Sequence, residues 1–285
     1  VYIYLNGEIV KQEEATISAY DHGYLYGLGL FETMRTYHRH PFLLDDHLDR
    51  IQSSLHHVNI MYTFRRDEVL AIIDNLCKVN QLEDSYIRFN ISAGVGDIGL
   101  QTEPYQEPTI IVFQKALPTH RFVAKEAVFL KQRRNSPETT MRLKSHHYLN
   151  NIAAKREIGS DPKKEGIFLT EEGYLAEGIV SNLFWIKNGI LYTPAVETGI
   201  LNGITRQFIL RLASIYQLSI EEGFYEPDVL KDAKEVFFTN SIQEIIPVSR
   251  ISGQEYPGCE GVWTRKLYSA YCQYAESLFN REQLS

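Results

Sequence analysis

Apolar and polar positions fall into strand-like and helix-like patterns along the whole chain. The first ten residues, VYIYLNGEIV, set Asn6-Gly7 between two apolar runs, and that dipeptide supplies the positive φ angles of a tight hairpin turn. LFETMRTYHRHPFLL repeats the strand, turn, strand pattern. LDDHLDRIQSSLHHV then places Leu48, Ile51, Leu55 and Val58 at helical spacing behind acidic Asp45 and Asp46, with His56-His57 where a helix C-terminus favours positive charge. DEVLAIIDNLCKVN predicts a second helix. YIRFNIS and PTIIVFQ predict strands separated by the loop AGVGDIGLQTEPYQE.

These elements make one α/β domain over residues 1–118. KALPTHRFVAKE reads as a linker. Beyond it, GIFLT, NLFWI, ILYTP and EVFFTN predict strands, and TRQFILRLASIYQL and VWTRKLYSAYCQYAESLF predict helices, giving a second domain over residues 119–285. The expected class is α/β (α+β) in two domains, with no internal repeat.

Composition narrows the function. With 285 residues, 44% hydrophobic and 23% charged, the chain can bury a full core, and its net charge of -7 argues against a broad nucleic-acid footprint. A local basic pocket for a small anion stays open. No apolar run approaches the roughly 18 residues of a membrane span, and the start has no basic leader, so a cytoplasmic protein without a membrane or nucleic-acid partner is expected. Cys77, Cys259 and Cys272 form no close pair and read as packing residues in a reducing compartment.

The stretch RLKSHHYLNN leaves three readings for Lys144: a solvated charge, part of a His-rich metal site, or a nucleophilic amine. His146 and His147 are adjacent and would point to different sides of a strand or a helix, so no metal site is expected. Leu149, Ile152 and Ala153 share one face of a predicted helix that ends at Gly159, which puts Lys144 in a fixed place just ahead of it. Further on, LNGITRQFIL offers a glycine-containing turn and a helix start, where N–H groups favour an anion. Thr205, taken alone, would simply cap that helix.

HLDRI around Arg50, LKSHHYLNNIAAK around Lys144, LAEGIVSNLFWI around Glu177, TGILNGITR and FFTNSIQEIIPV together resemble the fold-type IV pyridoxal-phosphate enzymes, the class IV aminotransferase family. The resemblance runs nearly end to end. It implies a smaller N-terminal α/β domain, a larger β-rich C-terminal domain, cofactor at the domain interface, and a homodimer. It also implies that Lys144 carries pyridoxal 5'-phosphate covalently and shuttles protons. Glu177 would face the pyridine nitrogen, and Tyr148 the ring oxygen. Arg50, the amides of Ile204 and Thr205, and the hydroxyls of Thr205 and Ser241 would hold the phosphate, with Asn240 beside them. Ser181 and Asn182 would tie down the local backbone.

Within the family, YGLGLFET has Phe31 where D-amino-acid transaminases carry a carboxylate-binding tyrosine, and NISAGVGDIGL lacks their Arg-x-His pair. YIRFNISAGVG lacks the Arg-Gly element of the branched-chain enzymes. YGLGLFETMRTY with HPFLLDDHLDR, RFNISAG and TNSIQEIIPV is most similar to the aminodeoxychorismate lyases of folate synthesis. The reaction implied turns 4-amino-4-deoxychorismate into 4-aminobenzoate and pyruvate. The alternative is a transaminase acting on D-amino acids or branched-chain amino acids. A substrate with two carboxylates calls for cations, and Arg88 and Arg35 are the candidates beside Phe31, against a structural or surface role for either arginine.

Overall fold

A computed structural model describes residues 1–117 and 122–284, so residues 118–121 of the expected linker lie outside the described residues. The described chain divides into two compact units. One comprises residues 1–117, 143–147 and 275–283, the other residues 122–142, 148–274 and 284.

The first unit holds β1 (Tyr2–Leu5), β2 (Glu8–Lys11), a short α1 (His22–Leu25), β3 (Gly29–Tyr37), β4 (His40–Pro41), α2 (Leu44–His57), α3 (Arg66–Asn80), β5 (Ser85–Ser92) and β6 (Thr109–Ala116). Its strands form an antiparallel sheet in the order β2-β1-β6-β5-β3-β4. Asn6 at φ 45° and Gly7 at φ 105° make the predicted turn, with Leu5 paired to Glu8. Leu44, Ile51 and Leu55 of α2 and Val69, Ile73 and Leu76 of α3 pack on Leu30 and Met34 of β3 and Ile87 and Ile91 of β5. Burying each such side chain contributes about 1.5–3 kcal/mol. This packing fixes β3 and β5, the strands that carry Phe31 and Arg88.

The second unit holds β7 (Lys125–Phe129), α4 (Leu149–Ile158), β8 (Lys164–Leu169), β9 (Leu175–Gly178), β10 (Asn182–Lys187), β11 (Ile190–Pro194), α5 (Ile204–Ile215), β12 (Ser219–Gly223), β13 (Glu235–Asn240), β14 (Glu244–Ile251), β15 (Gln254–Glu255) and α6 (Val262–Tyr274). Its sheet runs β12-β11-β10-β13-β14-β7-β8-β9, with β15 on β14. Leu183 to Ile186 are all apolar because β10 is buried on both faces: Leu183 and Trp185 join one core, while Phe184 on the opposite face stacks on Phe237 at 5.2 Å.

Two expectations are corrected. KALPTHRFVAKE is strand at both ends, because Ala116 pairs with Ser85 and Glu126 with Lys164, which satisfies main-chain groups that a linker would leave to water. The last predicted helix stops at Tyr274 instead of running through Phe279, because the main chain there turns to other partners. Leu43 N donates to Leu278 O at 3.0 Å and Asp45 N to Phe279 O at 2.9 Å.

Candidate active site

In the first unit, Leu143–His147 runs along the edge of β3 that short β4 leaves open. Phe31 N donates to Lys144 O and His146 N donates to Gly29 O, both at 2.9 Å, and Ser145 bridges Leu30. A side chain at Gly29 would run into the His146 ring, so this approach requires glycine. Lys144 is therefore held by a sheet, ahead of the helix that begins at Leu149. Its Nζ lies 4.5 Å from the centre of the buried Phe31 ring, and the Arg88 guanidinium stands 3.6 Å from that same centre. Lys144, Phe31 and Arg88 thus come together, as an aromatic wall beside two basic groups. Arg35, four residues on from Phe31, is stacked over Tyr37 at 5.0 Å.

His146 stacks near Phe31, with ring centres 6.5 Å apart. Burial, and then the Arg88 charge, push its imidazole down to about 4. An unfolded histidine takes up a proton near 6.5, so between that pH and about 4 the unfolded chain binds the extra proton and stability falls as the pH drops. His146→Gln should flatten the decline in unfolding free energy over this window by roughly 2–3 kcal/mol. Denaturant titrations at stepped pH measure it, and an unchanged slope in the variant would assign the decline to other groups.

Glu32 points from the other face of β3 toward α2. Its carboxylate accepts from Arg50 Nε at 2.7 Å and Arg50 Nη2 at 2.7 Å, a bidentate fork, while His47 Nδ1 stands 2.7 Å from Oε2. Burial alone would push the Glu32 carboxyl up, but the charges and hydrogen bonds of Arg50 and His47 hold it well below the usual carboxylate range. Two of the fork's N–H groups are used on Glu32, so Arg50, the expected phosphate ligand, is oriented by a buried carboxylate. Glu32 and His47 escape sequence reasoning, although the i,i+3 spacing of His47 and Arg50 on one helix face was a usable signal.

In the second unit, Glu177 at the end of β9 is 4% exposed. It accepts from Arg134 Nε at 2.8 Å, from Leu201 N at 3.1 Å and from Asn182 Nδ2 at 3.4 Å, with Arg142 Nε 3.9 Å away. Burial, and then the neighbouring Arg134 charge, push the Arg142 guanidinium down to about 10. Arg134 also donates to Asn150 Oδ1 at 2.8 Å, and Asn151 bonds the Ile179 carbonyl, so the paired asparagines of RLKSHHYLNN tie α4 to the Glu177 strand. Neither arginine carries a local sequence signal. Asn182 also donates to Leu201 O at 2.8 Å and lies against Gly203, where any side chain would collide with its amide.

Helix α5 starts at Ile204, with Gly203 as its cap residue, so Thr205 lies inside the first turn with its hydroxyl 3.5 Å from the Ser241 hydroxyl. Asn240 Oδ1 accepts from Ile242 N at 3.0 Å and Gln243 N at 2.7 Å, shaping the loop that carries Ser241. Tyr148, just before α4, lines a cavity of about 330 Å³ with Asn151, Ile152, Lys155, Ile179 and Val180. The Ser181 and Thr239 hydroxyls are buried without a hydrogen-bond partner among the described residues. In the second unit, two facing hydroxyls at a helix N-terminus and a buried carboxylate, and in the first an amine beside an aromatic ring, are each groups of the kind that a phosphorylated pyridine aldehyde calls for.

The profile of the amino-transferase class IV family matches residues 29–251, and the chain belongs to that family. It is 44% identical to the aminodeoxychorismate lyase of Bacillus subtilis (strain 168), over 98% of this chain and 97% of that one. It is 33% identical to a branched-chain-amino-acid aminotransferase of Pseudomonas aeruginosa, over 94% of this chain and 91% of that one. Among solved structures, a branched-chain aminotransferase from the thermophilic archaeon Thermoproteus uzoniensis, determined with norvaline, superposes with a TM-score of 0.85 at 28% identity, covering 96% of this chain and 94% of that one.

Proposed function

We propose that this chain is a pyridoxal 5'-phosphate-dependent 4-amino-4-deoxychorismate lyase, releasing 4-aminobenzoate and pyruvate. The observation that carries this reading is the surroundings of Lys144, where the buried Phe31 ring lies between the Lys144 amine and the Arg88 guanidinium. That pairing suits a ring-shaped, carboxylate-bearing substrate. Nearly full-length identity to a lyase supports it.

When bound, pyridoxal phosphate supplies an aldehyde that captures the substrate amine and a pyridinium ring that accepts an electron pair. Lys144 Nζ takes the proton from the substrate ring carbon and returns one to the departing enolpyruvyl group. Aromatisation makes the loss of that group favourable. Glu177 keeps the proton on the pyridine nitrogen, and Arg134 and Asn182 keep Glu177 in place. The Thr205 and Ser241 hydroxyls, the amides of Ile204 and Thr205, and Arg50 bind the phosphate, with Asn240 shaping the loop and Tyr148 donating to the ring oxygen. Arg88 holds a substrate carboxylate, and Arg35 has a structural role on β3.

A homodimer belongs to the same proposal. Val95, Ile98 and Leu100, on the loop before β6, are 65%, 76% and 91% exposed, apolar side chains that a second copy would cover. A cytoplasmic location is proposed with it. Among the described residues, no helix is long and apolar enough to cross a membrane.

Purified protein given 4-amino-4-deoxychorismate should release pyruvate and 4-aminobenzoate in equal amounts, while D-alanine or a branched-chain amino acid should leave the cofactor spectrum nearly unchanged. Rapid conversion of the cofactor by those amino acids without pyruvate release from aminodeoxychorismate would replace the lyase reading with a transaminase.

A further inference from the structure

Strands β13 and β14 pair from Phe237 with Pro247 to Asn240 with Glu244, leaving a three-residue turn, Ser241-Ile242-Gln243. Hairpins of this length close on a residue in the left-handed region, a place that suits glycine or asparagine. Here that residue is Glu244, at φ 63°, and it is fully buried. A buried acid in a strained backbone position needs a compensating contact. Its carboxylate has one in Tyr268 of α6, whose hydroxyl bonds Glu244 and also meets Cys272. Burial, and then the Glu244 charge, push the Tyr268 phenol up, so it remains a hydrogen donor.

Helix α6 is itself fastened to the same hairpin. Glu235, the first residue of β13, accepts from Trp263 N at 3.0 Å, Thr264 N at 2.8 Å and the Thr264 hydroxyl at 2.7 Å, capping the helix. The Tyr268 ring also stacks on Phe122 at 4.1 Å. One carboxylate thus joins the base of the hairpin to α6, and Glu244 joins the tip.

We infer that Glu244 is a positioning residue: through Tyr268 it clamps the tip of the β13–β14 hairpin so that the Ser241 hydroxyl faces Thr205 and the pair can receive a phosphate. The clamp touches neither substrate nor cofactor. It rests on the proposed phosphate role of Thr205 and Ser241, and its distinguishing property is selectivity for the phosphate group rather than for the pyridine ring.

Titration of the cofactor-free chain with pyridoxal 5'-phosphate and, separately, with pyridoxal tests it. Glu244→Gly relaxes the backbone but removes the clamp, Tyr268→Phe keeps the ring packing but removes the donor, and Glu244→Gln keeps an acceptor for Tyr268. Glycine and phenylalanine variants should bind pyridoxal phosphate about tenfold more weakly with less than about twofold change for pyridoxal, and Glu244→Gln should recover most of the loss. If Glu244→Gly does not fold, Tyr268→Phe carries the comparison. Unchanged pyridoxal phosphate affinity, or equal weakening toward both aldehydes, overturns the clamp. A wild-type chain that binds the two aldehydes equally would remove the phosphate role itself, and the clamp with it.

Discussion

Lys144→Ala should abolish covalent attachment of the cofactor and lower release of 4-aminobenzoate and pyruvate by roughly ten-thousandfold or more, because the amine that both binds the aldehyde and moves the proton is gone. The fold should survive. The segment is held by main-chain bonds from Phe31 to Lys144 and from His146 to Gly29, none of which uses the lysine side chain. Mass spectrometry after borohydride reduction separates the two effects: the wild type should gain the mass of the cofactor and the variant none. A variant that still gains that mass would show that another amine carries the cofactor.

Glu32→Gln should be the most destabilising single substitution among the candidate-site residues. Replacing the carboxylate leaves Arg50 and His47 facing a neutral amide in a buried place, and breaking a buried pair in this way costs roughly 3–5 kcal/mol. Because the folded carboxyl is held low, its contribution is fully present above the unfolded value of 4.5 and is lost progressively as the pH falls from there through the lower folded value. Chemical denaturation should therefore show a constant gap between wild type and variant from about pH 5 upward, narrowing in stronger acid. Binding of pyridoxal phosphate should weaken as well, since Arg50 loses the fork that aims it. A gap below about 1 kcal/mol at neutral pH would mean that Glu32 contributes no more than a surface pair does.

What could be read in the chain, and what could not, follows from how far each signal reaches. Helices α2 and α3 were visible because Leu48, Ile51 and Leu55, and then Val69, Ile73 and Leu76, repeat at helical spacing within one short window. Lys144, Glu177 and Thr205 stood out as a combination of short motifs in one order. Arg134 was invisible, because its bond to Glu177 joins residues 43 apart and leaves no periodic trace. The same holds for Glu32, which looks like any acidic residue in a strand until α2 is laid against it, and for the main-chain bond that brings Lys144 beside Phe31 across the sheet edge. Buried charge partners are set by tertiary packing, and one strand's pattern does not show which element will face it.

The segment at residues 275–283 has a consequence for the order of manufacture. A ribosome releases the chain from its amino end, and domains ordinarily fold as they emerge. Here the unit made first takes an edge segment from residues 143–147 and further hydrogen bonds from Leu278, Phe279 and Arg281, so it stays unfinished until residue 281 has been added. A chain cut short before residue 275 would lose the segment that completes its first-made unit.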